Sequence, residues 1–220
     1  MENYARAAFQ TPFKTIWIVV RVGITGGIGS GKSTVCEIFS QLNIPIYSSD
    51  EAAKKLMVND QKVKADLIEI LGSEIYLPDG ELNRKEIANQ IFNDVEKKLA
   101  LERIVHIAVF IDSEQWFKNK AAEKFIYAIY ESALLFESHM NHLLNKVIVV
   151  TAPEALRIQR VVARSNGMLS EKEVQQRIKN QNSDSEKIKL ADFVIHNDNS
   201  QMLTQQVLQI HKALLTFALN

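Results

Sequence analysis

The stretch GITGGIGSGKSTV, residues 23–35, decides the fold of this chain. It is rich in glycine, carries one lysine, and lies between two apolar segments. Gly26, Gly31, Lys32 and Ser33 fit the spacing G-x-x-x-x-G-K-[ST]. Because glycine has no side chain to block the approach, such a loop can curl around an anion and point several backbone N–H groups at it. The stretch therefore predicts a loop that binds a polyphosphate.

The side chains at the end of this loop suit a nucleotide with a metal ion. The helix that begins here carries partial positive charge at its N-terminus. Lys32 can reach the β- and γ-phosphates, the Ser33 hydroxyl can ligate Mg²⁺, and Thr34 can bond an earlier phosphate. The alternative is a flexible turn that matches by accident, and the strand and helix patterns on either side argue against it.

The segments around the loop predict an α/β fold. Residues 16–24 are rich in β-branched side chains, 32–42 have apolar side chains at helical spacing, and 44–47 form a second strand pattern. A strand, a helix and a strand in this order predict a βαβ unit with parallel strands. Further strands are predicted at 124–130, 145–151 and 192–196, and helices at 153–164, 170–181 and 202–217.

The predicted organisation is a single domain with an insert. Residues 16–50 and 124–220 carry the strands of the core, whereas 51–123 are mostly helical. Within the insert, Gly72 is expected to cap a helix and residues 78–80 to form a turn. Residues 1–15 have no clear periodicity, so we interpret them as an N-terminal extension.

Composition excludes several classes of function. The 220 residues include 26 basic and 26 acidic side chains, so no cationic excess indicates a nucleic-acid partner. The strongest apolar run, 16–20, is far shorter than the roughly 20 residues that span a bilayer, so no membrane partner is expected. The single cysteine suits a reducing compartment, and we expect a cytoplasmic protein that is a monomer or a weak homo-oligomer.

Asp50 is the next residue with chemical potential. It follows the second predicted strand, and ligands bind beyond the carboxyl ends of parallel strands, so it should face the same crevice as Lys32. A carboxylate there could accept a proton from an attacking hydroxyl or hold the water shell of a metal. The alternative is an N-cap for a helix that begins at Glu51. The residues alone leave both interpretations open.

Two nucleotide-dependent classes are disfavoured by what the strands lack. Neither later strand ends in the apolar-run–Asp pattern of motor-type ATPases, since the runs end in Glu131 and Thr151. No Asn-Lys-x-Asp motif for guanine occurs.

The region 157–182 is basic, and Arg160 and Arg164 share one helix face. A lid over 160–182 that closes on a transferring phosphoryl group is the preferred interpretation, and a solvated helical hairpin is the alternative.

Three histidines and the single cysteine are expected to be structural. His139 and His142 have metal-like spacing without a third ligand nearby, so they are interpreted as surface residues at a helix end. Cys36 lies beside an apolar stripe and is expected to pack in the core. His106 lies in an apolar helix, where a hydrogen-bonded core histidine is the usual interpretation.

Taken in order, several segments resemble the dephospho-CoA kinase family. The resemblance extends from residue 22 to about 208 and is carried by VGITGGIGSGKSTV (22–35), 46–50, DGELNR (79–84), LERIVH (101–106), ESALLFES (131–138), APEALRIQRVVAR (152–164) and ADFVIHND (191–198). It implies a three-layer P-loop kinase fold with a parallel five-stranded sheet, a helical CoA-binding insert and a helical lid.

The resemblance also implies an activity and its residues. Members transfer the γ-phosphoryl group of ATP to the 3′-hydroxyl of dephospho-CoA, with Mg²⁺. Lys32, Asp50 and Arg164 would be catalytic, with Asp50 as the base. The remaining implied roles fall into three groups: the ATP-binding residues Gly27, Gly29, Ser30, Gly31, Lys32, Ser33, Thr34 and Asn197, the acceptor-binding residues Asp50, Arg84, His106 and Arg160, and the metal ligand Ser33.

This chain departs from the family pattern at several positions. Where the family often has Asp-x-Asp, the chain has Ser48, Ser49 and Asp50, so only the second acid is kept. Ile107, Ala133 and Asn83 replace a usual proline, proline and aspartate. Two rival functions remain: another small-molecule kinase, acting on a nucleoside or nucleotide, and a nucleotide-dependent regulatory module without transfer chemistry.

Overall fold

A computed structural model describes residues 19–92 and 94–219. Its centre is a sheet of five parallel strands in the order β2-β3-β1-β4-β5. The strands are β1 (Val20–Thr25), β2 (Ile46–Ser48), β3 (Tyr127–Glu131), β4 (Lys146–Thr151) and β5 (Phe193–His196). This arrangement confirms the predicted α/β fold, and it places the strand before the phosphate-binding loop in the middle of the sheet.

Helices make up most of the remaining structure. They are α1 (Lys32–Gln41), α2 (Ser49–Asn59), α3 (Gln61–Leu71), α4 (Arg84–Phe92), α5 (Val95–Ala122), α6 (Glu154–Arg164), α7 (Glu171–Lys179), α8 (Asp184–Lys189) and α9 (Leu203–Leu219). Short 3₁₀ segments lie at Ser73–Ile75 and Met140–Leu143.

Two apolar clusters cover the faces of the sheet and make three layers. On one face, α1 and α9 bury side chains such as Phe39 and Leu214 against β1 and β4. On the other face, α5 buries Val105, Val109 and Phe117. Strands covered on both faces need apolar side chains on both sides, which explains the near-continuous apolar runs in β3 and β4.

The insert is built around the long helix α5. Its Ile104 and Ala108 pack against a separate cluster that contains Leu67 and Ile75, while other side chains of α5 pack on the sheet. One 28-residue helix therefore connects the insert to the sheet. The predicted capping glycine is confirmed, since Gly72 ends α3 with φ 84°, and the turn at 78–80 is present.

The structure corrects several predicted boundaries. Within the mostly helical 51–123, the apolar run at 99–111 predicts only the middle of α5, which spans Val95–Ala122, and no sequence pattern predicts α8. Strand β2 lies slightly later than 44–47, and Pro153 is the N-cap of α6 rather than part of its first turn. The first predicted strand begins at 16, but residues 16–18 and the 1–15 extension lie outside the described residues. No helix in the described part is long and apolar enough to cross a membrane.

Candidate active site

The phosphate-binding loop connects the end of β1 to the first turn of α1. Gly29 and Gly31 have φ values of +79° and +90°, in the left-handed region that favours glycine. Gly31 also lies against another segment, because a Cβ there would be 2.0 Å from Asn197 Nδ2. The loop therefore needs glycine at both positions, because each combines a left-handed backbone with close packing against another segment.

Lys32 faces a carboxylate on the neighbouring strand. It forms an ion pair with Glu131, the last residue of β3. The Ser48 hydroxyl of β2 donates a hydrogen bond of 2.8 Å to the other oxygen of Glu131. Because β3 lies between β1 and β2, its carboxyl end brings Glu131 within reach of both. The sequence pattern gave Glu131 no role beyond showing that this strand does not end in aspartate.

Asp50 lies in the electrostatic neighbourhood of Lys32. Burial lowers the pKa of the Lys32 ammonium below its ordinary value, and the Asp50 carboxylate opposes part of that decrease. Asp50 itself is exposed and is the second residue of α2, whose N-cap is Ser48. The N-cap interpretation of Asp50 is therefore wrong, and its carboxylate remains available at the carboxyl edge of the sheet.

A cavity of about 150 Å³ lies beside Asp50. Tyr130 of β3 and His106 of α5 also line it, together with apolar side chains such as Val105 and Val109. Burial raises the pKa of the Tyr130 hydroxyl to about 12, and Asp50 adds to the increase. His106 is exposed, so its interpretation as a core histidine is wrong. A mostly apolar recess next to an exposed carboxylate can accept part of a small molecule whose hydroxyl points at Asp50.

Arg84 lies in a different recess from His106. It is the first residue of α4 and lines a cavity of about 240 Å³ with Lys54 and Lys55 of α2. Lys54 is one helical turn beyond Asp50, so α2 carries a carboxylate at its start and two cations further along. Glu81 also lines this recess and Lys54 is ion-paired with Glu51, so the three cations leave a net positive charge that suits an anionic group of an acceptor.

Helices α6 and α7 form a basic hairpin, and Arg160 of α6 is connected to the phosphate-binding loop through Asn197. Arg160 is half-buried and donates a 3.3 Å hydrogen bond to Asn197, which in turn donates 2.8 Å to the Ser30 carbonyl. The NH1 atom of Arg160 is buried and has no hydrogen-bond partner among the described residues. Arg164, one turn further along α6, is exposed. Arg160 and Asn197 thus lie against the loop backbone, whereas Arg164 is free to reach other groups.

Buried hydroxyls in the loop fit an anion. Thr25 Oγ1 and Ser30 Oγ are buried without a hydrogen-bond partner in the part of the chain that is described. Ser33 and Thr34 are exposed at the start of α1. Buried polar atoms normally have partners, so the unpaired hydroxyls of Thr25 and Ser30 fit a loop that binds a polar ligand. Across 19–92 and 94–219, no three His, Cys, Asp or Glu side chains group as a ready-made metal site.

Comparison with known proteins assigns the family. The family model described as "CoaE: Dephospho-CoA kinase" matches residues 20–202. The chain belongs to the dephospho-CoA kinase family. A dephospho-CoA kinase from Bacillus cereus is 36% identical over 192 residues, which cover 87% of this chain and 95% of the relative. One from Bacteroides fragilis is 35% identical over 193 residues, 88% of this chain and 92% of the relative.

Solved structures agree with this membership. TT1252 from Thermus thermophilus has a TM-score of 0.75 and 31% identity, covering 89% of this chain and 97% of that chain. The dephospho-CoA kinase from Campylobacter jejuni has a TM-score of 0.67 and 26% identity, covering 90% and 98%. The chain is thus a kinase of the P-loop class and uses a nucleotide.

Two charged side chains near the loop were missed by sequence reasoning. Glu131 was noted only because it is not the aspartate typical of motor-type ATPases. A glutamate at the end of a buried strand is nevertheless an acidic group at the ligand-binding edge of the sheet. Lys187 of α8 is 1% exposed, and its Nζ lies 3.2 Å from Glu137. It also contributes to the lowered pKa of Lys32, which places it near the loop. Nothing in the pattern 184–189 indicated burial, but Ser183 and Glu186 have the spacing of a capping box.

Proposed function

We propose that this protein transfers the γ-phosphoryl group of ATP to the ribose 3′-hydroxyl of dephospho-CoA, giving coenzyme A and ADP. This is the final step of coenzyme A biosynthesis. Family membership supports the reaction. The observation that carries the mechanism is the exposed carboxylate of Asp50 at the same sheet edge as Lys32, where its charge opposes part of the decrease that burial causes in the pKa of that lysine.

On the nucleotide side, the loop provides amides and one cation. Backbone N–H groups at Gly29 and over 31–34 bind the phosphates, whereas the N–H groups of Ile28 and Ser30 are bonded within the protein. Asn197 holds the Ser30 carbonyl in place. Lys32 exchanges its contact with Glu131 for phosphate oxygens, and Arg164 is the lid cation that meets the transferring group. These cations offset charge on the phosphoryl oxygens as the bond to ADP breaks.

On the acceptor side, Asp50 orients the hydroxyl. The hydroxyl oxygen forms a bond to the γ-phosphorus, the bond from that phosphorus to the ADP oxygen breaks, and the hydroxyl proton passes to Asp50. We assign His106 and the recess beside Asp50 to the ribose and base of the acceptor. Arg84 and Arg160 bind its anionic groups, with Lys54 and Lys55 contributing to the recess of Arg84.

The residues present also fit a magnesium ion. Ser33 is exposed at the start of α1, and the Glu131 carboxylate and the Ser48 hydroxyl lie at the neighbouring strand ends. Hydroxyl and carboxylate oxygens are ligands that Mg²⁺ prefers, directly or through water. When bound, Mg²⁺ supplies positive charge that polarises the phosphoryl oxygens. Glu131 takes the place of the aspartate that this chain lacks at Ser48.

The expected setting follows from the same proposal. The partner is a small molecule, and the enzyme works in the cytoplasm as a monomer or weak homo-oligomer. The balance of 26 basic and 26 acidic residues supports a small-molecule partner over nucleic acid. The single cysteine, Cys36, packs in the core as expected and is free.

An assay of ADP formation with a panel of acceptors tests the function. We expect ADP formation that requires dephospho-CoA, with a product that carries phosphate on the ribose 3′-oxygen by ³¹P NMR and mass spectrometry. Equal or faster turnover with a nucleoside or nucleotide would assign another small-molecule kinase. Tight ATP binding without acceptor-dependent turnover would assign a regulatory module instead.

A further inference from the structure

Both legs of the α6–α7 hairpin bind one residue of the phosphate-binding loop. The Ile28 backbone N–H donates a 2.9 Å hydrogen bond to Gln181 Oε1, just beyond α7. The Ile28 carbonyl accepts a 2.9 Å hydrogen bond from Arg157 Nε, on α6. A single loop residue therefore has its donor and its acceptor satisfied by side chains that come from the two sides of the hairpin.

The Ile28 side chain belongs to the core of the same hairpin. Ile158 and Val161 of α6 pack against Val174 of α7, and Ile28 packs on this cluster. The loop thus contributes one apolar side chain to the cluster that holds the two helices of the hairpin together. The position of the hairpin depends on where the loop places Ile28, and the loop position depends equally on the hairpin.

Arg157 is fixed from behind as well as from the loop. It is 5% exposed, and its NH1 donates a 3.0 Å hydrogen bond to Asp184. Asp184 also accepts 2.8 Å from the Thr151 hydroxyl at the end of β4. Since this brace starts from a central strand, the guanidinium has little freedom to move away from the loop.

The glycines of the loop leave room for this guanidinium. A Cβ at position 27 would be 2.1 Å from Arg157 NH2, and one at position 29 would be 2.5 Å from the Arg157 carbonyl oxygen. Gly27 therefore lies against the arginine side chain, and Gly29 against its backbone. The loop glycines serve contact with α6 on the outer side of the loop as well as curvature.

From these contacts we infer that Arg157 and Gln181 are positioning residues for nucleotide binding, acting jointly through Ile28. They hold the loop in the curl that aims its amides at the phosphates, and they connect that curl to the hairpin that carries Arg160 and Arg164. This inference rests on the proposed function only in taking a nucleotide as the ligand of the loop.

A double-mutant cycle on ADP affinity tests the joint action. Arg157→Met and Gln181→Met keep a side chain of similar length but remove the two hydrogen bonds to Ile28. We expect each to raise the Kd for ADP, measured by calorimetry, about three- to tenfold. Because both side chains act through Ile28, the fold-increase in Kd of the double variant should be far smaller than the product of the two single fold-increases. Arg157→Lys should not restore affinity, because an ammonium cannot bind Ile28 and Asp184 together in the geometry of a guanidinium.

Controls separate this role from a general loss of stability. Gln176→Met changes an exposed glutamine on the same helix and should leave the Kd for ADP unchanged. If Arg157→Met does not fold by circular dichroism, Arg157→Lys, which keeps a positive charge beside Asp184, replaces it in the cycle. Folded single variants with wild-type affinity, or fold-changes that simply multiply, would overturn the inference. Because ADP binding needs no acceptor, these results do not depend on whether dephospho-CoA is the substrate.

Discussion

Lys32 of the phosphate-binding loop and Glu131 at the end of β3 form an ion pair beneath the candidate active site. The Glu131 carboxylate also accepts the hydroxyl of Ser48, so three neighbouring strand ends or loops share one acidic group. Lys32 is thus already neutralised before any phosphate arrives. The charge that the site offers a nucleotide depends on what becomes of Glu131.

Replacement of Glu131 should weaken the use of magnesium. Glu131→Gln keeps the size of the side chain and its contact with Ser48 but removes the negative charge. The Mg²⁺ concentration for half-maximal activity should rise about 10- to 100-fold, as for other outer-shell partners of metals. Magnesium titrations at saturating ATP measure this. Glu114→Gln, which removes the carboxylate paired with Arg21 at another site, is the matched control. An unchanged magnesium requirement would remove Glu131 from the metal shell.

Replacement of Asp50 should abolish most turnover and leave ATP binding intact. Asp50→Asn removes the group that accepts the hydroxyl proton, so kcat should fall by roughly 10²–10⁴. The Kd for ATP should change little, because the loop amides and Lys32 are untouched. Steady-state kinetics and calorimetry measure the two quantities. Glu69→Gln, at an exposed carboxylate of α3 that lines neither the recess beside Asp50 nor that of Arg84, should behave like the wild type. Near-normal kcat in Asp50→Asn would exclude Asp50 as the base.

Arg164 should affect the transfer step more than nucleotide binding. It is exposed, while Arg160 on the same helix is engaged with Asn197. Arg164→Met should lower kcat by roughly 10²–10³, as expected when one charged donor to the transition state is lost. The Kd for ADP should stay within about threefold, because ADP lacks the transferred group. Lys172→Met, an exposed cation of α7, is the control. Equal losses in the two variants would mean that only overall charge matters.

Cys36 should make the fold sensitive to alkaline pH. Burial raises the pKa of its thiol from 9.0 to about 11, so the folded protein keeps a proton that the unfolded chain releases. The stabilisation is complete below pH 9 and is lost as the pH rises towards 11. Relative to Cys36→Ala, the free energy of unfolding of the wild type should drop by up to about 3 kcal/mol over this range. Urea melts of both proteins from pH 8 to 11 measure the difference, and a constant difference would contradict the assignment.

Short-range patterns predicted the fold and the loop well. The glycine spacing, the flanking strand and the helix that starts at Lys32 are constraints within a few residues of one another, and the structure confirms them. Helix α5 was underestimated because its continuous apolar run ends at Ile111, where charged and polar side chains become frequent, although the helix continues and buries Phe117 beyond that point. The short helix α8 had only its capping box as a signal.

Contacts between distant segments could not be predicted in the same way. The N-cap interpretation of Asp50 depended on the start of α2, which lies at Ser49 and thus two residues before the expected Glu51, a shift that sequence patterns do not resolve. Glu131 meets Lys32 only because β3 is the neighbour of β1 in the sheet. Arg157 belonged to a basic run that suggested a lid, yet its side chain is buried against the loop.

The grip of the hairpin on Ile28 has a consequence for how the chain folds. The two hydrogen bonds join residues 129 and 153 positions apart in the chain, so they form only after the sheet has brought both regions together. We therefore expect the amides of the hairpin to exchange with deuterium together with those of residues 26–31. Independent protection of the two segments would show that each is stable by itself.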